Sequence, residues 1–171
     1  TSNWNLNTSK PNFEEVKLLY VGRVKVEKGI FSLLNLLKNN SKNITLTIVG
    51  ESEQRKNTIN QEKVNIYPIE KNKEKLIKYY DDNSIFILPS YTEGHPMVLL
   101  EALARRRPVI IFEEIKHVVG DKKGIFVAKR NSTSLLETIN QIKENYNEIY
   151  EELKNNNLPT KNNFLKEFED L

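Results

Sequence analysis

Two glutamates, Glu93 and Glu101, flank the segment of the chain whose residue types are best suited to chemistry. Glu93 comes soon after the apolar run Ile85–Leu88, so in a parallel sheet it would stand at the edge where strands end and ligands bind. Gly94 would let the backbone approach a ligand closely, and Pro96 suits the first position of a helix. Because the free N–H groups of a helix start attract anions, the segment predicts an anion-binding helix N-terminus beside a carboxylate.

The spacing of these glutamates is not informative by itself. It recurs in Glu62/Glu70, across a predicted strand, and in Glu144/Glu152, on the polar face of a predicted surface helix. Glu101 differs because its neighbours are apolar, and a carboxylate is costly to bury unless it accepts hydrogen bonds. It would lie about 7 Å along the helix axis from the first turn, which suits a carboxylate accepting sugar hydroxyls beside a phosphate. The alternative is structural, with Glu101 pairing with a nearby arginine or capping a neighbouring loop.

A basic turn, GRVKVEKG at positions 22–29, follows the first predicted strand. Gly22 ends that strand at the ligand-binding edge, and Arg23 and Lys28 flank the turn. Arginine can grip a phosphate through two hydrogen bonds and lysine acts as a point charge, so the pair suits a diphosphate. The turn matches neither the G-x-x-x-x-G-K-[ST] phosphate loop nor the G-x-G-x-x-G of dinucleotide binding. An ordinary basic surface turn is the alternative.

Composition narrows the classes of protein further. The 171 residues are enough for one domain with its own core, and the absence of cysteine excludes disulfides and thiolate metal sites. With only His95 and His117 as histidines, we expect no bound metal. The net charge of +3 is scattered and does not indicate nucleic acid as a partner. Without a membrane-spanning run or a signal-peptide pattern, a cytoplasmic location is expected.

Short apolar runs alternate with helical patterns along the chain. The predicted strands cover residues 17–21, 44–49, 64–67, 85–88, 109–112 and 124–127. The predicted helices cover residues 29–37, about 51–63, 73–80, 96–105, 135–153 and, after a break at Leu158-Pro159, about 161–168. Continuously apolar strands are typical of strands buried on both faces. We therefore predict an α/β fold, a doubly wound parallel sheet of about six strands with helices on both faces.

Taken together and in order, these motifs resemble the C-terminal domain of retaining glycosyltransferases of the GT-B type, the glycosyl transferases group 1 family. The likeness extends over roughly residues 17–150 and rests on Gly22-Arg23, Glu27-Lys28-Gly29, Val49-Gly50, Ser90-x-x-Glu93-Gly94-x-Pro96, Glu101-Ala102-x-Ala104 and Pro108-Val109-Ile110. It implies a Rossmann-like donor-binding domain over residues 17–153. Residues 1–16 are interpreted as a linker or a truncated N-terminal edge, and residues 154–171 as a helix that crosses toward an N-terminal domain outside this chain.

The resemblance implies a role for each site residue. Glu93 would be the catalytic residue, contacting hydroxyls of the transferred sugar, and Glu101 would accept hydrogen bonds from the ribose. The donor diphosphate would be held by Gly22, Arg23 and Lys28. Contacts to sugar and phosphate would come from Glu93, Gly94, His95, Pro96 and Met97, without a catalytic role for His95. The turn at Tyr67 and Pro68 would meet the base.

Two departures from the family pattern stand out. Arg105, Arg106 and Arg107 replace a small residue and a glycine found in many relatives. We interpret them as charges that favour the C-terminal end of the helix dipole; the alternative is an electrostatic face for anionic lipid or for the missing domain. The stretch 112–117 lacks the usual glycine-containing turn, so no donor contact is assigned to it.

The implied function is transfer of a sugar from a UDP or GDP sugar to a glycan or lipid-linked acceptor in cell-surface polysaccharide synthesis. A retaining hexosyltransferase of this kind would need no cofactor or metal, since cationic side chains and a helix N-terminus stabilise the leaving diphosphate. Alone, the chain would bind its donor weakly and transfer nothing; contact with the inner face of the membrane is allowed. The alternatives are a non-catalytic interaction module with the same fold and a dinucleotide-using enzyme such as an epimerase, which the missing G-x-G-x-x-G disfavours.

Overall fold

The computed structural model describes residues 10, 13–38, 43–50 and 62–158. The strands are β1 (Val16–Val21), β2 (Ile44–Val49), β3 (Val64–Tyr67), β4 (Ile85–Leu88), β5 (Val109–Phe112) and β6 (Ile125–Ala128). The α-helices are α1 (Ile30–Leu37), α2 (Lys73–Asp82), α3 (Met97–Ala104), α4 (Ser132–Glu144) and α5 (Tyr146–Leu153). Short 3₁₀ turns cover Val26–Lys28 and Glu113–Val118. No helix in the described part of the chain is both long and apolar enough to cross a bilayer.

All six strands form one parallel sheet in the order β3-β2-β1-β4-β5-β6. The chain winds outward from β1 to β3, returns to β4 beside β1, and winds outward again to β6. Since crossovers between parallel strands are right-handed, the two directions of winding place helices on opposite faces. The predicted α/β class, strand number and doubly wound architecture are confirmed. The order reverses between β1 and β4, and such a reversal opens a crevice at the carboxyl ends of the strands.

The core lies where the central strands meet the helices. Every residue of β4 and β5 is buried, which explains their uninterrupted apolar sequences. Helix α1 buries positions at helical spacing, namely Ile30, Leu33, Leu34 and Leu37. Edge strand β3 instead alternates half-buried with exposed residues. The sheet is therefore most rigid at β1, β4 and β5, from which the loops of the crevice emerge.

Gly29 brings two of these loops together. It adopts a left-handed conformation with φ of 68°, and a Cβ atom there would lie 1.9 Å from the carbonyl oxygen of Pro89. Only glycine allows both the conformation and the close approach. A backbone hydrogen bond from Tyr91 N to Glu27 O, 2.9 Å long, joins the same two loops. The turn after β1 is thus held against the loop after β4.

Several predicted boundaries differ from the structure. The helix predicted over 135–153 is two helices, because Asn145 leaves helical geometry (φ −104°, ψ 16°) and its side chain donates to the carbonyl of Gln141. The apolar period continues across this break, so the sequence pattern concealed it. The 3₁₀ turn Glu113–Val118 was not predicted, and β1 begins one residue early, at Val16. The helix predicted over about 51–63 falls largely, and that over 161–168 entirely, outside the described residues.

The electrostatic-face interpretation of the arginine triplet is wrong for two of its members, while the helix-dipole interpretation stays a prediction. Arg105 and Arg107 are 3% and 1% exposed, so they form no electrostatic face. Arg105 donates to both carboxylate oxygens of Asp81, through Nε at 2.9 Å and Nη2 at 2.7 Å. Arg107 donates to the backbone carbonyls of Tyr80 and Asp81, each at 2.9 Å. The pair ties the end of α2 to the end of α3, and peripheral membrane contact stays a prediction without this support.

Candidate functional site

The crevice at the strand reversal holds the charged pair that joins its two sides. Lys28 ends the turn after β1 and Glu93 lies in the loop after β4, and Lys28 Nζ donates to Glu93 Oε1 at 2.7 Å. Their side chains are 32% and 11% exposed. An ion pair so little exposed is screened less by solvent than a surface pair. Two residues 65 positions apart therefore meet at the edge where this class of sheet binds ligands.

Glu93 is held from three directions. Its Oε1 also accepts a 2.6 Å hydrogen bond from the hydroxyl of Ser90, which is fully buried. Its backbone carbonyl lies 2.8 Å from His117 Nε2. No residue in the described part of the chain donates to Oε2 of Glu93. The carboxylate is thus fixed through one oxygen and offers the other to the crevice.

Helix α3 begins at the floor of this crevice. Pro96 is the N-cap residue, with φ of −76° and ψ of 98°, so its predicted place at the first helical position is one residue off. No side chain caps the helix start, which leaves first-turn backbone N–H groups such as that of Met97 facing outward. A Cβ added to Gly94 would find no atom within 4 Å. A cavity of about 170 Å³, lined by Gly94, His95, Pro96 and His117 among others, adjoins this helix start.

Glu101, one turn further along α3, lies against α2. The hydroxyl of Tyr80 donates to Glu101 Oε2 at 2.8 Å. Burial raises the pKa of the Glu101 carboxyl, and the Tyr80 hydrogen bond acts in the opposite direction. Among the described residues, the hydrogen-bond partner of Glu101 is thus a tyrosine, not the arginine that the structural alternative named. Sequence reasoning did not identify Tyr80, whose place in the buried stripe of α2 marked it only as a core residue.

The turn after β1 presents Arg23 differently from Lys28. Arg23 is exposed, and its side chain forms no ion pair with any residue that the structure describes. Its carbonyl accepts from the hydroxyl of Tyr20 at 2.9 Å. A Cβ on Gly22 would lie 2.7 Å from that hydroxyl, and a Cβ on Gly50 would lie 2.6 Å from Gly22 O. The two glycines therefore let the ends of β1 and β2 meet, with Arg23 projecting beside them.

Tyr67 and Pro68 lie at the end of β3, two strands away from β1. Tyr67 is 40% exposed and its ring centroid is 5.1 Å from that of Tyr79 on α2. Burial, followed by the neighbouring Tyr67 and Glu70, raises the pKa of Tyr79. The strand order thus places these aromatic side chains on the same sheet edge as the charged pair, toward its β3 end.

Arg130 is a second residue that sequence reasoning missed. It follows β6 and donates to the carbonyls of Pro89 and Ser90, at 2.9 and 3.2 Å, while Nε donates to Glu114 at 2.6 Å. Its guanidinium lies over the Tyr91 ring, 4.0 Å from the centroid. The hydrogen bond from Arg130 Nε is the largest of the effects that lower the pKa of Glu114. Arg130 secures the loop that carries Glu93. In the sequence, the signal that could have pointed to Arg130 was its position just after a predicted strand.

Metal-ligand chemistry finds little support in these residues. Within residues 13–38, 43–50 and 62–158, no three acidic or histidine side chains gather as a metal site would require. Of the predicted site residues, Lys28 and Arg23 are cationic and Glu93 and Glu101 carry carboxylates.

A parallel sheet of this order, with a charged pair at the carboxyl ends of its strands, defines a Rossmann-like α/β fold. The chain belongs to the glycosyl transferases group 1 family, whose family model matches residues 5–158. It is 32% identical over 123 residues to a putative teichuronic acid biosynthesis glycosyltransferase of Bacillus subtilis, covering 71% of this chain and 31% of that protein. An amylovoran biosynthesis glycosyltransferase of Erwinia amylovora is 33% identical over 104 residues, covering 57% and 29%. The chain spans roughly a third of the length of the curated relatives it matches.

Solved structures share the fold at low sequence identity. The catalytic domain of the cholesterol-α-glucosyltransferase from Helicobacter pylori has a TM-score of 0.64 and 19% identity, covering 81% of this chain and 92% of that one. HepE of Anabaena, in complex with UDP and glucose, has a TM-score of 0.68 and 15% identity, covering 82% and 42%. The GT-B relationship predicted from the motifs is confirmed.

Proposed function

We propose that this chain is the donor-binding part of a glycosyltransferase that moves a sugar from a nucleoside-diphosphate sugar, of the UDP or GDP type, to an acceptor. The observation that carries the proposal is the 2.7 Å contact between Lys28 and Glu93 at the strand reversal. A sugar nucleotide needs a cation for its phosphates and an acceptor for its sugar hydroxyls. These two groups stand side by side where a doubly wound sheet binds its ligand.

Lys28, Arg23 and the start of α3 are proposed to bind the diphosphate. A lysine ammonium has three donors, and the contact with Glu93 uses one of them. Arg23 is exposed and follows Gly22 at the carboxyl end of β1. The unoccupied N–H groups at the start of α3 add partial positive charge. Together they would stabilise the leaving diphosphate without a resident metal or cofactor.

Glu93 is the proposed catalytic residue in the sense that it contacts the transferred sugar. Its Oε1 is engaged by Lys28 and Ser90, so Oε2 is the oxygen left for a sugar hydroxyl. The cavity of about 170 Å³ beside Gly94 and Pro96 offers space for the sugar, with His95 at its margin.

The nucleoside is proposed to extend from α3 toward β3. Glu101 Oε1 accepts no hydrogen bond from the described residues and would receive the ribose hydroxyls. Tyr67 and Pro68, at the end of β3, would lie near the base, where an exposed aromatic ring suits stacking.

The remaining parts of the proposal concern the longer protein to which such a domain belongs. Relatives are named for teichuronic acid, amylovoran and capsular polysaccharide biosynthesis, which supports a glycan or lipid-linked acceptor in cell-surface polysaccharide synthesis. We assign residues 17–153 to donor binding and residues 154–171 to a segment crossing toward an N-terminal domain. The proposal also includes retaining hexosyl transfer and a dependence of that transfer on the second domain. It further includes a cytoplasmic location at the inner face of the membrane.

Titration of this chain with UDP, GDP, their glucose and mannose derivatives, and NAD tests the proposal by ligand-observed NMR. We expect a sugar nucleotide to bind, and Lys28→Met to weaken that binding about tenfold, the effect of losing one charge-assisted contact. Lys25→Met is the matched control, because Lys25 lies in the same turn but is 51% exposed and pairs only with Glu27 at 3.6 Å. Binding of NAD without any sugar nucleotide, or equal affinities for the two variants, would contradict the proposal.

A further inference from the structure

We propose that Tyr80 is a positioning residue that holds the Glu101 carboxylate in the orientation that receives the ribose hydroxyls. This inference rests on the proposed function and extends it to α2, a helix to which no ligand role is assigned. Tyr80 acts through Glu101 and itself contacts no ligand atom.

The Tyr80 hydroxyl reaches one carboxylate oxygen of Glu101 and, at the longer distance of 3.4 Å, the carbonyl of Val98. The Tyr80 hydroxyl donates to Glu101 Oε2 at 2.8 Å, and Oε1 remains without a donor among the described residues. Tyr80 is fully buried, and its ring packs 5.7 Å from that of Phe86 on β4. Because a packed ring has little freedom, its hydroxyl defines where Oε2 lies, and the geometry of the carboxylate then directs Oε1 toward the crevice.

The protonation of both groups suits this arrangement. Burial, reinforced by the charge of Glu101, raises the pKa of Tyr80 well above its ordinary value, so the phenol remains a donor. Burial also raises the pKa of Glu101, and the Tyr80 hydrogen bond opposes that effect. Among the described residues, the Tyr80 hydroxyl on α2 is the side chain that shifts the pKa of Glu101, and no charged group does so. Tyr80 thus opposes the effect of burial and favours the ionised, accepting form of the carboxylate.

The arginine cluster supports the backbone of Tyr80 from the other side. Arg107 Nε donates to the Tyr80 carbonyl at 2.9 Å, and Arg105 binds Asp81, the next residue of α2. Helices α2 and α3 are therefore joined at two levels, by the arginines at their ends and by the Tyr80–Glu101 hydrogen bond one turn earlier. This double attachment fixes the distance over which the hydroxyl reaches the carboxylate.

The experiment compares Tyr80→Phe with Tyr79→Phe. Tyr79 is the adjacent tyrosine on the same helix, and no described residue hydrogen-bonds to its hydroxyl. Both changes remove one oxygen and keep the ring, and thermal unfolding confirms that each variant folds. We expect Tyr80→Phe to weaken UDP binding about tenfold and Tyr79→Phe to change it less than twofold.

A pH titration separates positioning from a general loss of packing. In Tyr80→Phe the pKa of Glu101, followed in the ligand-free protein by ¹³C NMR of its carboxyl carbon, should rise above that of the wild type and of Tyr79→Phe. UDP binding should weaken on acidification at a correspondingly higher pH. An unchanged Glu101 pKa in Tyr80→Phe would overturn the inference whatever happens to affinity. If the wild type binds no nucleotide, the proposed function fails, while the ligand-free titration still decides whether Tyr80 governs Glu101.

Discussion

Removing the carboxylate of Asp81 should strongly destabilise the domain. In Asp81→Ala, Arg105 loses two charge-assisted hydrogen bonds, at 2.9 and 2.7 Å, and Arg107 loses a carboxylate oxygen 3.9 Å away. The two arginine side chains are only 4% and 1% exposed, so water cannot replace the lost partner without local opening. Breaking a buried ion pair costs about 3–5 kcal/mol. Asp81 itself is 27% exposed, which lowers our expectation to about 2–4 kcal/mol.

Urea unfolding followed by circular dichroism measures this loss as a change in the free energy of unfolding. For a domain of this size it corresponds to a fall in melting temperature of roughly 6–12 °C. Asp82→Ala is the control, because Asp82 is the next residue of α2 but is exposed. A free energy of unfolding for Asp81→Ala within about 1 kcal/mol of the control would refute our account of the cluster, since a buried guanidinium that loses two charge-assisted hydrogen bonds should cost more.

Two further variants test the backbone and the ligand carboxylate. Gly29→Ala should destabilise the domain by more than about 2 kcal/mol in thermal unfolding, because φ is 68° and the new methyl group would meet Pro89 O. Gly94→Ala is the control. It should cost less than about 0.5 kcal/mol, because its methyl group would meet no atom within 4 Å. Glu101→Gln should bind UDP poorly yet be at least as stable as the wild type at pH 7. Burial raises the pKa of Glu101 in the folded state. Protonation of Glu101 therefore stabilises the folded state below the pKa of the unfolded chain, and this stabilisation is lost as pH rises through the folded-state pKa. Urea unfolding at pH 4 and pH 7 checks this; a variant less stable than the wild type at pH 7 would contradict it.

The architecture was largely predictable from the sequence because each buried strand is a short continuous apolar run. Strands such as Ile85–Leu88 and Val109–Phe112 have no polar position that could suggest another structure. The ends of the helices were less predictable. The spacing of apolar residues indicates which face of a helix packs against the core, but it does not indicate where the helix is interrupted. The interruption at Asn145 lies between two helices that keep the same buried stripe, which is why one helix was predicted.

The site was predictable only in part. Lys28 and Glu93 could be placed at one edge because both follow central strands, but their direct contact depends on the left-handed Gly29 and its approach to Pro89. Tyr80 and Arg130 were missed for a common reason. Each acts across a packing interface, and a single sequence does not show which side chains of different elements meet.

The burial of Arg105 and Arg107 could not be read from the sequence either. Three consecutive arginines suggest a solvated surface, and only the three-dimensional structure shows carbonyl and carboxylate acceptors arranged around two of them. Arg106 has φ of 54°, a left-handed conformation that residues other than glycine seldom adopt.

The ion pair between Lys28 and Glu93 also keeps a carboxylate beside the ammonium group in the crevice. A free phosphate ion approaching Lys28 must compete with that carboxylate, whose negative charge repels it. A molecule that carries hydroxyl groups next to its phosphates can satisfy both partners when it separates them. On the proposed function, the closed pair thus acts as a chemical filter that discriminates against the abundant simple anions of the cell and admits a ligand that presents sugar and phosphate together.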